Sequence, residues 1–271
     1  MSLTADRIPQ GWDDVSDAYD EAAFPVTSKY AHEAVRLAGV QDGDVVLDVA
    51  AGSGAATMAA LDEGAEVVAT DFAPRMIDRL RARLSDAGLT AESIVMDGQD
   101  LRFADSTFDK VISVFGLIFF SDRLKGMREM HRVLKPGGKA CVVSWSGPEL
   151  TFPISLWGKA FIEVMPDLPA PSDPPAVYSL ADPTRFEQEM KGAGFTKVEI
   201  TSFISTWDSS SPEEFWSTWH RASPVFTTLQ NSLGDRLDLY RETVISNIRE
   251  RFGSGEIHME AEAHVGIGSK G

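Results

Sequence analysis

The chain has 271 residues, of which 43% are hydrophobic and 24% charged, and this is typical of a globular protein large enough for a sizeable core. Lys and Arg total 25 while Asp and Glu total 41, which gives a formal net charge of −16. Because nucleic-acid binding relies on clustered Lys and Arg, this balance disfavours nucleic acid and anionic membrane surfaces as partners. A solvated acidic surface is the simpler explanation of the charge.

Cysteine usage and the N-terminal residues narrow the class of protein further. A single cysteine, Cys141, excludes a disulfide or a cysteine-based metal site within one chain. Residues 1–10 lack the apolar core of a signal peptide, and no 18 uncharged apolar residues occur together. We therefore expect a cytoplasmic protein with no membrane insertion and no metal; the oligomeric state stays open.

Short apolar runs alternate with helical patterns through the first half of the chain. This alternation is typical of a parallel sheet with helices on both faces. Pro74 and Gly88 fit the start and the end of one helix, since proline favours the first helical position and glycine the position after the last. Strands are predicted at residues 45–50, 66–71, 93–96, 110–115 and 139–145, and helices at 53–63, 74–87 and 123–134.

The pattern changes after Trp145. Residues 146–181 contain many prolines and are predicted to form an inserted loop. A helix at 183–192 and a strand at 197–204 then resume the α/β pattern. Residues 212–252 are predicted to be helical, and 256–267 to form a final half-exposed strand.

The strongest local motif is VLDVAAGSG at residues 46–54. A strand that enters a small-residue turn before a helix lets the backbone approach a ligand closely, and the helix N-terminus offers unpaired N–H groups. Gly52 and Gly54 half-fit the dinucleotide fingerprint, but Thr57 stands where its third glycine belongs. Alone, the motif predicts a nucleotide-type site with several possible ligands.

Three more motifs follow in order. Asp71 ends the second predicted strand, where a carboxylate can accept both ribose hydroxyls, and Asp97 ends the third, where it can accept the adenine amino group. The ordered set VLDVAAGSG, VVATDFAPRM, VMDGQDLRFADSTFD and EMHRVLKPGG resembles the class I S-adenosylmethionine (SAM) dependent methyltransferases. It is most similar to their small-molecule branch, typified by the ubiquinone/menaquinone-biosynthesis C-methyltransferases, and the resemblance is strong over roughly residues 10–145.

The resemblance implies a Rossmann-like α/β fold with a seven-stranded, mostly parallel sheet, helices on both faces, a last antiparallel strand and a helical cap. It implies a lid at 1–40, a SAM-binding core at 41–145 continued at 182–206 and 255–271, and cap segments at 146–181 and 207–254. SAM would be the cofactor and S-adenosylhomocysteine its product, with a small molecule as acceptor. The residues implied to contact the cofactor are Asp48, Ala50, Gly52, Gly54, Asp71, Phe72, Met76, Asp97, Gly98, Gln99, Val114 and Phe115. Ala50 departs from the family, which has glycine there.

The acceptor side is less specified by the sequence. His32 and His220 are candidate bases because both lie in predicted lid or cap segments. Tyr19, Tyr30, Trp216 and Trp219 are candidates to line an apolar acceptor pocket, although packing within the cap explains such aromatic residues as well.

Two other functions stay open. An NAD-dependent oxidoreductase shares the glycine-containing turn and the acidic end of the second strand. A SAM-fold protein could also act as a binding module or as a cyclase, because a fold does not fix a function.

Overall fold

The computed structural model describes residues 5–168 and 175–271. Residues 1–4 of the predicted lid and 169–174 of the predicted loop lie outside the described residues. Seven strands in the described ranges form one sheet: β1 (Val45–Val49), β2 (Glu66–Asp71), β3 (Glu92–Val95), β4 (Phe108–Val114), β5 (Leu134–Trp145), β6 (Thr196–Ser209) and β7 (Ile257–Ser269).

The order of the strands across the sheet is β3-β2-β1-β4-β5-β7-β6. The five strands from β3 to β5 pair in parallel, whereas β7 lies antiparallel between β5 and β6. The predicted mostly parallel sheet with a last antiparallel strand is confirmed. In such a sheet the carboxyl ends of β1, β2 and β4 meet at one edge, where α/β proteins place their ligands.

Nine α-helices occur in the same described ranges. They are α1 (Pro9–Ala38), α2 (Ala55–Asp62), α3 (Pro74–Ala87), α4 (Arg123–Val133), α5 (Phe152–Val164), α6 (Pro183–Gly192), α7 (Pro212–Trp219), α8 (Pro224–Asn231) and α9 (Leu237–Phe252). Helix α1 packs against α2 and α3, while α4 packs against α6. The helices therefore form two layers around the apolar strands, as predicted. None of the described helices is both long and apolar enough to cross a membrane.

The prediction of an inserted loop over 146–181 is wrong for α5. The apolar residues that begin at Phe152 form a helix that buries Leu156 and Trp157. The prolines that suggested a loop are concentrated in PDLPAPSDPP at 166–175, beyond this helix. Residues 152–164 form a helix because the helix buries their apolar side chains on one face.

The predicted helical segment 212–252 is broken into three helices. Pro212 and Pro224 each occupy a first helical turn, and the preceding Ser211 and Ser223 accept hydrogen bonds from backbone N–H groups of those turns. These Ser-Pro pairs are start signals for new helices. Tyr240 of α9 joins the cap by donating to the carbonyl of Trp157, 3.0 Å away.

Strand boundaries also differ from the prediction. β5 starts at Leu134 rather than 139, and β6 continues to Ser209 rather than 204. Both extensions are stabilised by pairing with neighbours distant in sequence, since β6 pairs with β7 as far as Ser209↔Ile257. A pattern within one strand does not contain that information.

Candidate functional site

A cavity of about 580 Å³ opens at the carboxyl edge of the sheet. The turn after β1 forms its floor, the ends of β2, β3 and β4 form its sides, and the start of α1 with the turn Ala5–Arg7 covers it. The volume lies in the range of sites that enclose one small ligand or cofactor. Its polar and charged lining side chains are Arg7, Tyr19, Thr27, Asp48, Ser53, Asp71, Asp97, Gln99, Asp100, Arg102 and Ser121.

The turn after β1 brings backbone against the cavity. Ala50 has φ 56° and Gly52 has φ 54°, both in the left-handed region. Glycine adopts this region freely, whereas alanine there costs about 1–2 kcal/mol. Gly116 follows β4 and crosses this turn so closely that a Cβ on it would lie 2.9 Å from the carbonyl oxygen of Ala50. Ala50 is therefore a strained residue in the part of the turn that lines the cavity, where a ligand would approach.

Asp48 lies at the end of β1 beneath this turn. It is buried, and its Oδ2 accepts a hydrogen bond from Thr57 of α2 at 2.7 Å. Its Oδ1 is buried without a hydrogen-bond partner among the described residues. Burial raises the pKa of Asp48 to about 7. A buried unpaired carboxylate oxygen in a cavity wall is costly unless a ligand pairs with it.

Asp71 ends β2 and is tied to the backbone of two turns. Its Oδ2 accepts from the N–H of Gly52 and its Oδ1 from the N–H of Ala73, each at 2.9 Å. Burial raises its pKa to about 6, while these two N–H groups act in the opposite direction. Since each carboxylate oxygen can accept two bonds, Asp71 holds the turn and still has acceptor capacity toward the cavity.

The segment after β3 forms the next part of the wall. Asp97 accepts the backbone N–H of Gln99 at 2.8 Å, and Gln99 in turn accepts from Ser121 at 3.0 Å. A Cβ on Gly98 would overlap the ring of Phe120. The close approach of this backbone to the loop after β4 therefore requires glycine.

Aromatic rings form a further part of the cavity wall. Trp12 of α1 contacts Tyr19 and Phe119 edge-on, with ring centroids 5.5 and 5.0 Å apart. Phe115, at the end of β4, has φ 60° and stacks on Trp145 at 3.8 Å. A second non-glycine residue is thus held in the left-handed region within one cavity, where strain commonly marks a functional site.

Most of the predicted cofactor residues lie in the cavity wall. Tyr19, predicted for the acceptor, lies there as well. The predicted cofactor residues in the wall are Asp48, Ala50, Gly52, Asp71, Phe72, Met76, Asp97, Gly98, Gln99, Val114 and Phe115.

Gly54 and Tyr30 do not line the cavity. Gly54, with φ 98°, faces α3, where a Cβ would overlap Leu80. Its role is close packing of helix against turn rather than ligand contact. Tyr30 is fully buried behind Phe115, with ring centroids 5.2 Å apart, and donates to the carbonyl of Ala261 at 2.7 Å. It supports the wall from behind.

The two predicted histidine bases lie outside the cavity lining. His32 is exposed on α1, where its Nε2 lies 3.5 Å from a carboxylate oxygen of Asp62. His220 ends α7 and stacks on Trp216, with ring centroids 5.2 Å apart and its Nδ1 2.9 Å from the Trp216 carbonyl oxygen. Burial lowers its pKa. Neither imidazole reaches the place where a ligand would bind.

Trp216 and Trp219 pack inside the cap instead of lining the cavity. Trp219 stacks on Trp207 at 4.2 Å, and Trp216 lies 5.5 Å from Trp157. The packing interpretation of these aromatic residues therefore holds. In residues 5–168 and 175–271, no group of three His, Cys, Asp or Glu side chains is placed to hold a metal ion.

Sequence reasoning missed several wall residues. Trp12 lies seven residues before Tyr19 on α1, so two turns of helix place both on one face, a spacing that could have identified Trp12. Phe119 and Phe120 follow the β4 turn without a motif of their own. The other missed wall residues include Arg7, Pro9, Thr27, Ser53, Met96, Arg102 and Ser121.

Comparison with known proteins finds methyltransferases among the relatives of this chain. A family model described as "Methyltransferase domain" matches residues 46–138, which span β1 to the start of β5. An uncharacterised protein of Mycobacterium tuberculosis is 43% identical over 112 residues, which cover 41% of this chain and 41% of that protein. The chain thus spans less than half the length of that relative.

A longer match extends beyond the core. The demethylmenaquinone methyltransferase of Renibacterium salmoninarum is 32% identical over 186 residues, which cover 66% of this chain and 77% of the relative. The structure of a Haemonchus contortus phospholethanolamine N-methyltransferase, solved with S-adenosylhomocysteine, superposes with a TM-score of 0.55 at 17% identity. It covers 89% of this chain and 52% of the Haemonchus chain, and at that identity the likeness concerns the fold.

Proposed function

This chain belongs to the class I SAM-dependent methyltransferases, so that SAM is its cofactor, and we propose that it transfers the methyl group to a small apolar or aromatic molecule. The observation that carries the proposal is the unpaired Oδ1 of Asp48 in the wall of a cavity that aromatic rings also line.

The donor set fits SAM. The free carboxylate oxygen of Asp48 suits the ammonium group of a methionine moiety, and the small residues Ala50 and Gly52 in the turn leave room beside it. Asp71 retains acceptor capacity for ribose hydroxyls, and the segment from Asp97 to Gln99 offers carboxylate and amide groups for adenine.

When bound, SAM supplies an electrophilic methyl group that needs no further activation. The chain's own residues therefore bind, orient and exclude water. Phe115 and Val114 border the cavity at the end of β4, between the Asp48 side and the aromatic rings. The rigid stacking of Phe115 on Trp145 fixes that border.

The aromatic wall supports an apolar or aromatic acceptor. Trp12 contacts both Tyr19 and Phe119 edge-on, and all three residues line the cavity. Apolar walls with few polar groups bind flat aromatic or quinone-like molecules well. Among the described residues that line the cavity there is no His, Lys, Glu or Cys. We therefore expect alignment, rather than a strong protein base, to supply most of the rate enhancement.

The dinucleotide alternative is less well supported. Thr57 stands where the third glycine would be and uses its hydroxyl to hold Asp48. A Rossmann dinucleotide site has a glycine at this position, so that the helix can pack closely on the strand without a side chain between them.

Calorimetric titration of the purified chain with S-adenosylhomocysteine tests the cofactor, with NAD as the negative control. Asp71→Asn is the variant for comparison, because it keeps the size of the side chain while it removes the charge and leaves one oxygen instead of two to accept from the N–H groups of Gly52 and Ala73. Methyl transfer from radiolabelled SAM to a panel of phenols, quinols and polyketide-type acceptors, with simple amines for comparison, tests the acceptor class.

Each outcome has a definite meaning. We expect binding of S-adenosylhomocysteine that weakens in Asp71→Asn, no binding of NAD, and labelled product from the aromatic group. Binding of NAD alone would overturn the methyltransferase proposal. Binding of S-adenosylhomocysteine with labelled amines and unlabelled aromatic acceptors would overturn the acceptor class. Conversion of an acceptor without label would instead support the cyclase alternative. A cytoplasmic location stays a prediction from the sequence.

A further inference from the structure

Acidic side chains of α1 lie along a row of arginines on α3. The carboxylates are spaced one helical turn apart, and so are the arginines, so that the two rows face each other along the helix–helix contact. The pairs are Asp13 with the backbone N–H of Arg75 at 2.8 Å, Asp17 with Arg75 and Arg79, and Asp20 with Arg83. These contacts hold the first half of α1, which covers the cavity, against α3 of the core.

Arg83 differs from the other two arginines in what it joins. Its Nε donates to the carbonyl oxygen of Ser53 at 3.1 Å, and a second nitrogen pairs with Asp20 of α1. The guanidinium also lies over the ring of Phe24, 3.2 Å from its centroid. One planar group thus contacts the cofactor turn through Ser53 and α1 through Asp20 and Phe24.

The Arg83–Asp20 pair is less exposed to solvent than its neighbour, the Arg79–Asp17 pair. The side chains of Arg83 and Asp20 are each 23% exposed, whereas those of Arg79 and Asp17 are 39% and 61% exposed. Exposed ion pairs contribute little because water and salt screen them, but less exposed pairs with charge-assisted hydrogen bonds are worth more. Of the three arginine–aspartate pairs, the Arg83–Asp20 pair therefore stabilises closure most strongly.

We propose that Arg83 is a positioning residue that couples closure of α1 over the cavity to the conformation of the turn at Ser53. Neither Arg83 nor Asp20 lines the cavity, so the coupling acts through Ser53 on one side and through Tyr19, the neighbour of Asp20, on the other. The inference rests on the proposed function in that the turn is taken to hold SAM.

The coupling has a specific kinetic signature. Ligand already bound beneath α1 leaves only when α1 opens, and truncating one partner of a half-buried charge pair acts mainly on dissociation. A residue that merely stabilised the fold would lower the melting temperature and leave the ratio of bound to free ligand unchanged in the folded protein.

The experiment compares Arg83→Gln with Arg79→Gln in the full chain. Both variants remove one positive charge from the same helix, but Arg79 contacts neither Ser53 nor Phe24 in the structure. The dissociation constant for S-adenosylhomocysteine is measured by calorimetry and its dissociation rate by stopped-flow displacement. Chymotrypsin cleavage after Trp12 and Tyr19, with and without S-adenosylhomocysteine, reports opening of the first turns of α1.

We expect Arg83→Gln to weaken binding about tenfold, mainly through faster dissociation, and to abolish ligand protection of α1 against chymotrypsin. Arg79→Gln should change the dissociation constant less than about threefold. Equal effects of the two variants would overturn the proposal. Failure of the unmodified chain to bind S-adenosylhomocysteine would instead overturn the proposed function, so the two failures are distinguishable.

A second pair of variants keeps the test decisive if Arg83→Gln does not fold. Asp20→Asn removes the partner on α1 and leaves the Arg83–Ser53 contact in place, with Asp17→Asn as its matched control. We expect faster dissociation of S-adenosylhomocysteine in Asp20→Asn than in Asp17→Asn. Equal dissociation rates in these two variants would refute the coupling.

Discussion

Replacing Gly54 by alanine tests whether this glycine serves helix packing rather than ligand contact. Gly54 caps the start of α2 with φ 98°, and it faces α3 rather than the cavity. An added Cβ would overlap Cδ1 of Leu80 and lie 3.4 Å from its Cγ. Leu80 is fully buried and packs with Ala69, Ile77 and Leu84, so it has little room to move.

Two costs add in this variant. An alanine forced into the left-handed region loses about 1–2 kcal/mol. An extra methyl group in a packed core costs about 1–3 kcal/mol. We therefore expect Gly54→Ala to lower the free energy of unfolding by about 2–5 kcal/mol. With a urea m-value of about 3 kcal/mol per M, the midpoint falls by roughly 1 M.

Two other glycines separate the contributions. Gly88, after α3, has φ 66° and nothing within 4 Å of an added Cβ, so Gly88→Ala measures backbone strain alone, about 1 kcal/mol. Gly158, inside α5, also has open space, and its alanine variant should stabilise by about 0.5–1 kcal/mol. Urea unfolding followed by tryptophan fluorescence gives all three values, with an unchanged m-value as the check on two-state behaviour.

The comparison of Gly54→Ala with Gly88→Ala shows whether Gly54 serves helix packing or ligand contact. If the two variants lose the same stability, the overlap with Leu80 costs nothing and the packing role is refuted. If folded Gly54→Ala loses S-adenosylhomocysteine affinity far more than stability, Gly54 acts on the ligand after all.

Three further predictions concern the cavity wall. Because burial raises the pKa of Asp48 to about 7, this side chain in the folded chain keeps a proton that it releases near pH 4 in the unfolded chain, so the contribution of Asp48 to the stability of the ligand-free protein falls as pH rises from about 4 to 7. Asp48→Asn should reduce that slope in urea titrations at each pH, and an unchanged slope would contradict the assignment. Ala50→Gly relieves the strained φ and should raise the free energy of unfolding by about 0.5–1 kcal/mol, after the entropic cost of glycine; a lower urea midpoint would argue against strain. Tyr30→Phe loses the bond to the carbonyl of Ala261 and should destabilise by about 1–2 kcal/mol. Its S-adenosylhomocysteine affinity should match that of the unmodified chain. A large loss of affinity would indicate that Tyr30 contributes to ligand binding after all.

The cofactor side of the cavity was predictable because its determinants are local. The turn at residues 46–54 and the carboxylates at Asp71 and Asp97 each follow a buried strand, and parallel strands bring their ends together. The exception is Gly54. A glycine in a motif shows that a side chain is excluded, but the sequence does not state whether a ligand or a neighbouring helix excludes it.

The aromatic part of the cavity wall, where we propose that the acceptor binds, was less predictable because distant segments build it. Trp12 comes from α1 and Phe119 from the turn after β4, and only tertiary packing brings them within 5.0 Å. Aromatic residues in the cap, such as Trp216 and Trp219, carry the same local pattern but pack on one another. Apolar periodicity predicts burial without identifying what the buried face contacts.

The position of β7 between β5 and β6 has a consequence for how the chain folds. During synthesis, β5 and β6 leave the ribosome well before β7, and until β7 arrives β5 presents an unpaired inner edge. Such an edge is a template for pairing with other chains. Closing the sheet requires contacts across the whole cap segment, which slows folding because long loops must be ordered first. Until residues 257–269 pair with both neighbours, this sheet therefore exposes edges that β7 covers in the folded chain.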